Sequence, residues 1–182
     1  VSGDPLDWLG RLGLSAPGQA ALFVLAVLVF LPAPDVDFLL LRLLHHRSIL
    51  THSLLLPVLV WLLLPGLGPG AAAGAFLGVA IHLAADALSP PRGYGAVWWP
   101  EPFQSSLGRW STLWLLGNAA LGAYLAFAVL PVGEGWRMLA LGVGLVAALG
   151  YGAVNERSVL AVLVCGGIVA AGWWAHRWWH PP

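Results

Sequence analysis

Five stretches of this sequence carry no charged residue and no histidine: residues 12–34, 54–81, 110–133, 138–154 and 158–175. A helix needs roughly 17–25 apolar residues to cross the hydrocarbon of a bilayer, and every stretch reaches that length. The second is too long for one crossing and is broken by Pro65-Gly66-Leu67-Gly68-Pro69-Gly70, a tight reversal, so it reads as two helices. The chain is thus expected to be all-α, a multi-span transmembrane helical bundle of about six helices. The spacing predicts them at roughly 16–33, 48–65, 70–89, 111–131, 136–153 and 158–176. No period-two strand pattern competes, and lipid tolerates only backbone that bonds within its own segment or within a closed barrel.

Composition excludes the alternatives. Hydrophobic residues make up 59% and charged ones 9%, against about 25% charged in a typical soluble domain. A soluble globule and a disordered chain are both ruled out. Eight arginines, with no lysine, offset eight acidic residues, so no net charge attracts nucleic acid. The single Cys165 permits neither an intrachain disulfide nor a cysteine zinc motif. The whole chain, 1–182, reads as one integral membrane domain. Residues 1–110 hold three spans and an interfacial loop, and 111–182 hold three further spans. A short interfacial helix is expected over 4–14, capped near Ser2 or Asp4. Asp4 and Asp7 beside Arg11, with no small-residue cleavage site after the first run, favour a span over a secretory leader. Glycines 74, 78, 117, 122, 142, 144, 166 and 167 suit close helix approach. Trp173, Trp174, Trp178 and Trp179 form an expected interfacial belt, with His176 and His180 as wet interface residues among them.

The polar residues are not scattered. Asp35 and Asp37 follow the first span, and His45, His46, Arg47, Thr51, His52 and Ser53 lead into the second. His82 and Asp86 lie in the last turns of the third. Alternating crossings put the end of span one, the start of span two and the end of span three at one face, so three distant groups converge at one depth. His82 and Asp86, at i and i+4, share a helix face. An extended Asp35-Val36-Asp37 would turn both carboxylates the same way. His and Asp together suit zinc, manganese or iron, and up to six donors would serve one ion or two. Taken singly, each motif has a bland reading: Asp-x-Asp after proline as a turn cap, His-x-x-x-Asp as a helix hydrogen bond. Together they are costly. An ionisable group at the centre of a membrane helix costs about 2.5–3.5 kcal/mol, less near the interface. A bound metal compensates, since structural zinc binding is worth roughly 10–16 kcal/mol in peptides. A metal-free network of Asp–His and Asp–Arg pairs is the structural alternative.

Pro34-Asp35-Val36-Asp37, His46-Arg47-Ser48-Ile49-Leu50-Thr51-His52-Ser53, His82-Leu83-Ala84-Ala85-Asp86 and a glycine-containing loop ending in Trp99-Pro100 resemble, in that order, the YdjM-like membrane-bound metal-dependent hydrolases. The likeness covers roughly residues 20–103. It implies a multi-pass protein of the bacterial inner membrane. It also implies a metal cluster distantly similar to that of zinc-dependent phospholipase C and related nucleases. The His45-His46 doublet leaves the register open, and His46 is preferred because Arg47 follows it.

The expected activity is metal-assisted hydrolysis of a phosphoester or lipid-linked substrate. One or two divalent ions, zinc foremost with manganese or iron as alternatives, would be held by Asp35, Asp37, His46, His52, His82 and Asp86. A bound metal lowers the pKa of water from 15.7 to about 7. The catalytic set is Asp35, Asp37, Arg47 and Ser53. Asp35 or Asp37 would accept a proton and Arg47 would grip a phosphate or carboxylate oxygen. Thr51 and Ser53 would orient His52 or a carboxylate. A direct Ser53–His52 nucleophile pair is disfavoured, because neighbours on a helix point about 100° apart. The loop 89–109, rich in Pro, Gly and Trp, is expected either to cover the site or simply to anchor at the interface. Glu101 could add a ligand or pair with Arg92 or Arg109. The expected partners are membrane lipids, a lipid-derived substrate and other membrane chains, with no nucleic acid. A non-catalytic scaffold with a structural metal is the competing class. A transporter ranks last, since its site would lie at mid-membrane. Arg42, Arg47, Arg92, Arg109 and Arg157 on the site face, against Arg11, Arg137 and Arg177 opposite, lean toward a cytoplasmic site.

Overall fold

The computed structural model describes residues 15–103 and 105–180, so the helix expected over 4–14 lies outside the described residues. Among the described residues six helices of nine residues or more form the bundle: α1 Ala16–Phe30, α2 Leu55–Leu63, α3 Gly68–Asp86, α4 Ser111–Val129, α5 Glu134–Gly150 and α6 Val159–Trp179. There is no β-sheet among the described residues, only isolated bridges in the loop regions. Among the described residues five segments are long and apolar enough to cross a membrane, and α2 is not among them.

That corrects the second expected span. Residues 48–65 yield only the nine-residue α2, about 13.5 Å of helix against a hydrocarbon core of about 30 Å. Two causes are visible. Residues 45–54 are drawn into turns around Asp37, and Leu64-Pro65-Gly66 stops the helix at its other end. The chain still alternates direction, because α2 carries it back to the start of α3.

Helix α3 is the axis. Every residue from Gly70 to Asp86 is buried. In a bilayer an apolar face gains little by leaving lipid, so close packing decides which helix is central. The small residues of α3 allow that packing. It runs parallel to α1 at a fixed offset of 51 residues: Gln19 Oε1 accepts from Gly70 N at 2.6 Å. One turn on, a Cβ on Gly74 would fall 2.2 Å from the Phe23 carbonyl, and one on Gly78 would fall 2.6 Å from that of Val27. Carried upward, the same register sets Asp35 at the level of Asp86.

Helix α1 is capped by Ser15, whose hydroxyl accepts from Gly18 N at 3.1 Å, and it ends before Pro32 and Pro34. The prolines feed a 3-10 segment, Ala33–Leu40, in place of the extended Asp-x-Asp of the sequence reading. Fixed proline φ angles favour that tight turn. Helix α5 continues as a π turn, Tyr151–Asn155. Ser158 caps α6 by accepting from Ala161 N at 3.3 Å. The loop after α3 is stitched to the segment before α2: Trp98 N donates to Arg47 O at 2.9 Å and Ile49 N to Trp98 O at 2.8 Å.

Candidate metal centre

The three polar groups meet at one end of the bundle. His52 and His82, from different segments, are fully buried, with ring centroids 5.4 Å apart. Asp86 Oδ2 lies 3.1 Å from His52 Nε2 and 3.4 Å from His82 Nε2. Asp35 Oδ1 lies 3.9 and 3.7 Å from the same two nitrogens. Ligand atoms of Asp35, His52 and His82 all fall within 4.8 Å of one another, and so do those of Asp35, Asp37 and His46. Asp35 belongs to both groups and is their most open member, half-buried with 39% of its side chain exposed.

The far side of each imidazole is held. His82 Nδ1 meets the Tyr151 hydroxyl at 2.9 Å. His52 Nδ1 faces Thr51 Oγ1 at 3.1 Å and Asp37 Oδ2 at 3.3 Å, while Trp114 Nε1 donates to the His52 carbonyl at 2.9 Å. With each proton on Nδ1, both Nε2 lone pairs aim at the common point. His52 Nε2, His82 Nε2 and Asp86 Oδ2 are all buried without a hydrogen-bond partner. Buried polar atoms are normally satisfied. Three unsatisfied ones converging on one spot fit a divalent cation, and the donor set of imidazoles and carboxylates suits one. Burial opposes a charge on His52, but the adjacent Asp37 and Asp86 carboxylates outweigh it and raise its pKa above the ordinary value.

Asp37 is completely buried and accepts from Ser48 N at 3.1 Å and from the Thr51 hydroxyl at 3.0 Å. Its other oxygen lies 3.4 Å from His46 Nδ1. It thus stands behind His52 with one face and toward the second donor group with the other. His46 stacks on Phe38 at 4.2 Å. Its neighbour His45 turns away, to 3.2 Å from Glu101.

Arg47 points inward. Its Nη2 donates to Asp86 Oδ1 at 2.8 Å and to Ser89 Oγ at 3.1 Å, and its Nη1 donates to the carbonyls of Asp86 and Gly95, each at 3.2 Å. Four of its five donors are thereby occupied, and Nε alone has no partner. The backbone here is strained: His45 and Arg47 both adopt positive φ, 57° and 56°, a cost that the surrounding bonds must hold. The Ser53 hydroxyl is engaged at the start of α2, donating to Leu50 O at 3.1 Å and accepting from Leu55 N at 3.2 Å.

The loop lies beside this end, with the Tyr94 ring 6.0 Å from that of His46. His45, His46, Gly93, Tyr94 and Trp98 line a cavity of about 280 Å³ beside the second donor group. At the opposite end of the bundle Trp174, Trp178 and Trp179 are exposed. His176 is not the wet residue expected there: it is buried, its ring 6.0 Å from Tyr124 and 4.9 Å from His180.

Tyr151 is the site residue that the sequence did not disclose. Its only signal was a lone phenol in a glycine-rich apolar run. Comparison of the chain with protein-family models, curated proteins and solved structures found no match.

Proposed function

We propose that this membrane protein is a metal-dependent hydrolase of the kind its motifs resemble, acting on a phosphoester or lipid-linked substrate. The observation that carries the reading is the convergence of His52 Nε2, His82 Nε2 and Asp86 Oδ2, buried and unpartnered, beneath the half-buried Asp35. In this reading His52, His82, Asp86 and Asp35 hold one divalent ion, zinc foremost. Asp35, Asp37 and His46 offer a place for a second. When bound, the metal supplies an acidified water at neutral pH. The chain's own residues do the rest. Asp37 and Tyr151 fix the imidazoles through their Nδ1 atoms, as such outer partners do in metal sites. Asp35, open to solvent on one side, accepts the proton from the attacking water. Arg47 locks Asp86 in place. The loop around Tyr94 and Trp98 borders the second donor group. The bacterial inner membrane is the expected setting, with the site toward the cytoplasm.

A structural metal in a non-catalytic scaffold is the second reading, and Arg47 favours it, because the guanidinium expected to hold a substrate oxygen is spent on Asp86, Ser89 and Gly95. Elemental analysis of purified protein, beside the His82→Ala/Asp86→Ala variant, tests the centre. About one or two transition-metal ions per chain are expected in the wild type and none in the variant; equal content removes both readings. Release of phosphate or diglyceride from phospholipid vesicles by the metal-loaded protein, absent in Asp35→Asn, then separates enzyme from scaffold.

A further inference from the structure

Between α1 and α5 the bundle leaves a cavity of about 630 Å³, walled by Val24 to Leu31 on one side and by Gly142 to Asn155 on the other. Of its lining residues only Tyr151 and Asn155 carry polar side chains, and both stand at one end. That end adjoins the metal centre. The Tyr151 hydroxyl is 2.9 Å from His82 Nδ1, and Leu31 immediately precedes the segment that carries Asp35. From Gly142 to Asn155 the wall runs about 20 Å at helical rise, somewhat more than one leaflet of a hydrocarbon core about 30 Å thick. Glycines keep the space open: at Gly142 and Gly150 nothing lies within 4 Å of where a Cβ would stand.

We propose that this groove seats an acyl chain of a membrane glycerophospholipid, and that the lipid's headgroup phosphoester rests at the Asp35–His82 centre. The assignment of the headgroup rests on the hydrolase reading above, whereas the seat for the chain does not. Three features select this occupant. The walls lie within segments long and apolar enough to span a membrane, the groove is about as deep as one leaflet, and its single polar end reaches Tyr151, which holds His82 from behind. A small water-soluble phosphoester would use none of these. Lipid would enter sideways from the bilayer between α1 and α5, without passing the loop at Tyr94.

The test uses the full chain in phosphatidylglycerol vesicles containing a trace of phospholipid with a diazirine on its acyl chain. Chelator is present, so that neither metal nor turnover contributes. Photolabelling is expected to favour Val24, Leu28 and Val146 over Leu113 and Leu163, which are equally apolar and exposed elsewhere, by roughly tenfold. Gly142→Leu and Gly150→Leu add bulk to the groove at positions where a Cβ meets nothing within 4 Å, and each should bring its labelling down to the level of those reference sites. Uniform labelling, or labelling untouched by both substitutions, overturns the groove. Groove labelling in a protein that hydrolyses no lipid when metal-loaded leaves the seat standing and removes the hydrolase reading. Hydrolysis in which Gly142→Leu changes neither the KM for long-chain lipid nor its ratio to that for a short-chain soluble ester leaves the enzyme and removes the seat.

Discussion

Replacing Asp86 by alanine would strand a buried cation. The Arg47 guanidinium is 9% exposed, and Asp86 Oδ1, 2.8 Å away, is its only anionic contact among the described residues. Removing one partner of such a pair costs about 3–5 kcal/mol, because the survivor stays desolvated and unpaired. At roughly 2–4 °C per kcal/mol for a chain of this size, Asp86→Ala should lower the apparent Tm by roughly 6–20 °C. The measurement is a thermal melt of detergent-solubilised protein in chelator, which removes any stabilisation from bound metal. Arg47→Met/Asp86→Leu removes both charges and fills similar volume. It should recover at least half of the loss, although the carbonyls of Asp86 and Gly95 lose their donor. Arg47→Met alone should be milder than Asp86→Ala, since the His52 imidazole still faces the carboxylate at 3.1 Å. A double variant as damaged as Asp86→Ala would refute the reasoning, for the penalty would then come from lost packing and not from an orphaned charge.

Three further outcomes follow from the geometry. Tyr151→Phe, which leaves His82 Nδ1 unsupported, should weaken metal affinity about 10–100-fold with the fold retained; titration with a competing chelator reads it, and unchanged affinity would deny Tyr151 its orienting role. In metal-free protein the raised pKa of His52 means that its protonated form stabilises the fold fully below about 6.5, and this contribution fades as pH climbs through the raised value. Melts from pH 5 to 9 should therefore fall with pH in chelator but not with metal present, while metal affinity rises with pH as that proton becomes easier to displace. Gly74→Leu would push a side chain against the Phe23 backbone and should cost at least the roughly 1–3 kcal/mol of overpacking. Gly117→Ala, with open space around it, should be neutral or stabilising, and similar melts for the two would contradict the α1–α3 register.

The long helices were legible because charge-free runs set their ends to within a few residues: the run expected over 111–131 is α4, Ser111–Val129. The gathering of Asp35, His52, His82 and Asp86 was legible for a simpler reason, that alternate crossings return to the same face. Hydropathy could not tell that residues 48–54 leave the helical path, since Ile49 and Leu54 are as apolar as any span residue and are buried in a turn instead. Nor could it rank the helices, because lipid-facing and core-facing residues look alike in a bilayer; only the Gly/Ala content of α3 hinted that it is central. The direction of Arg47 was hidden because a buried tie to Asp86 and an open anion grip use the same side chain. The part played by Tyr151 was hidden because it is 69 residues from His82 and no local pattern spans that distance.

That last separation also sets an order of events. All six donor side chains lie between positions 35 and 86, and a chain made from its N-terminus delivers them to the bilayer before α4, α5 and α6 exist. The phenol that steadies His82 arrives only with the fifth helix. A nascent chain thus presents the gathered carboxylates and imidazoles first and the brace on His82 afterwards.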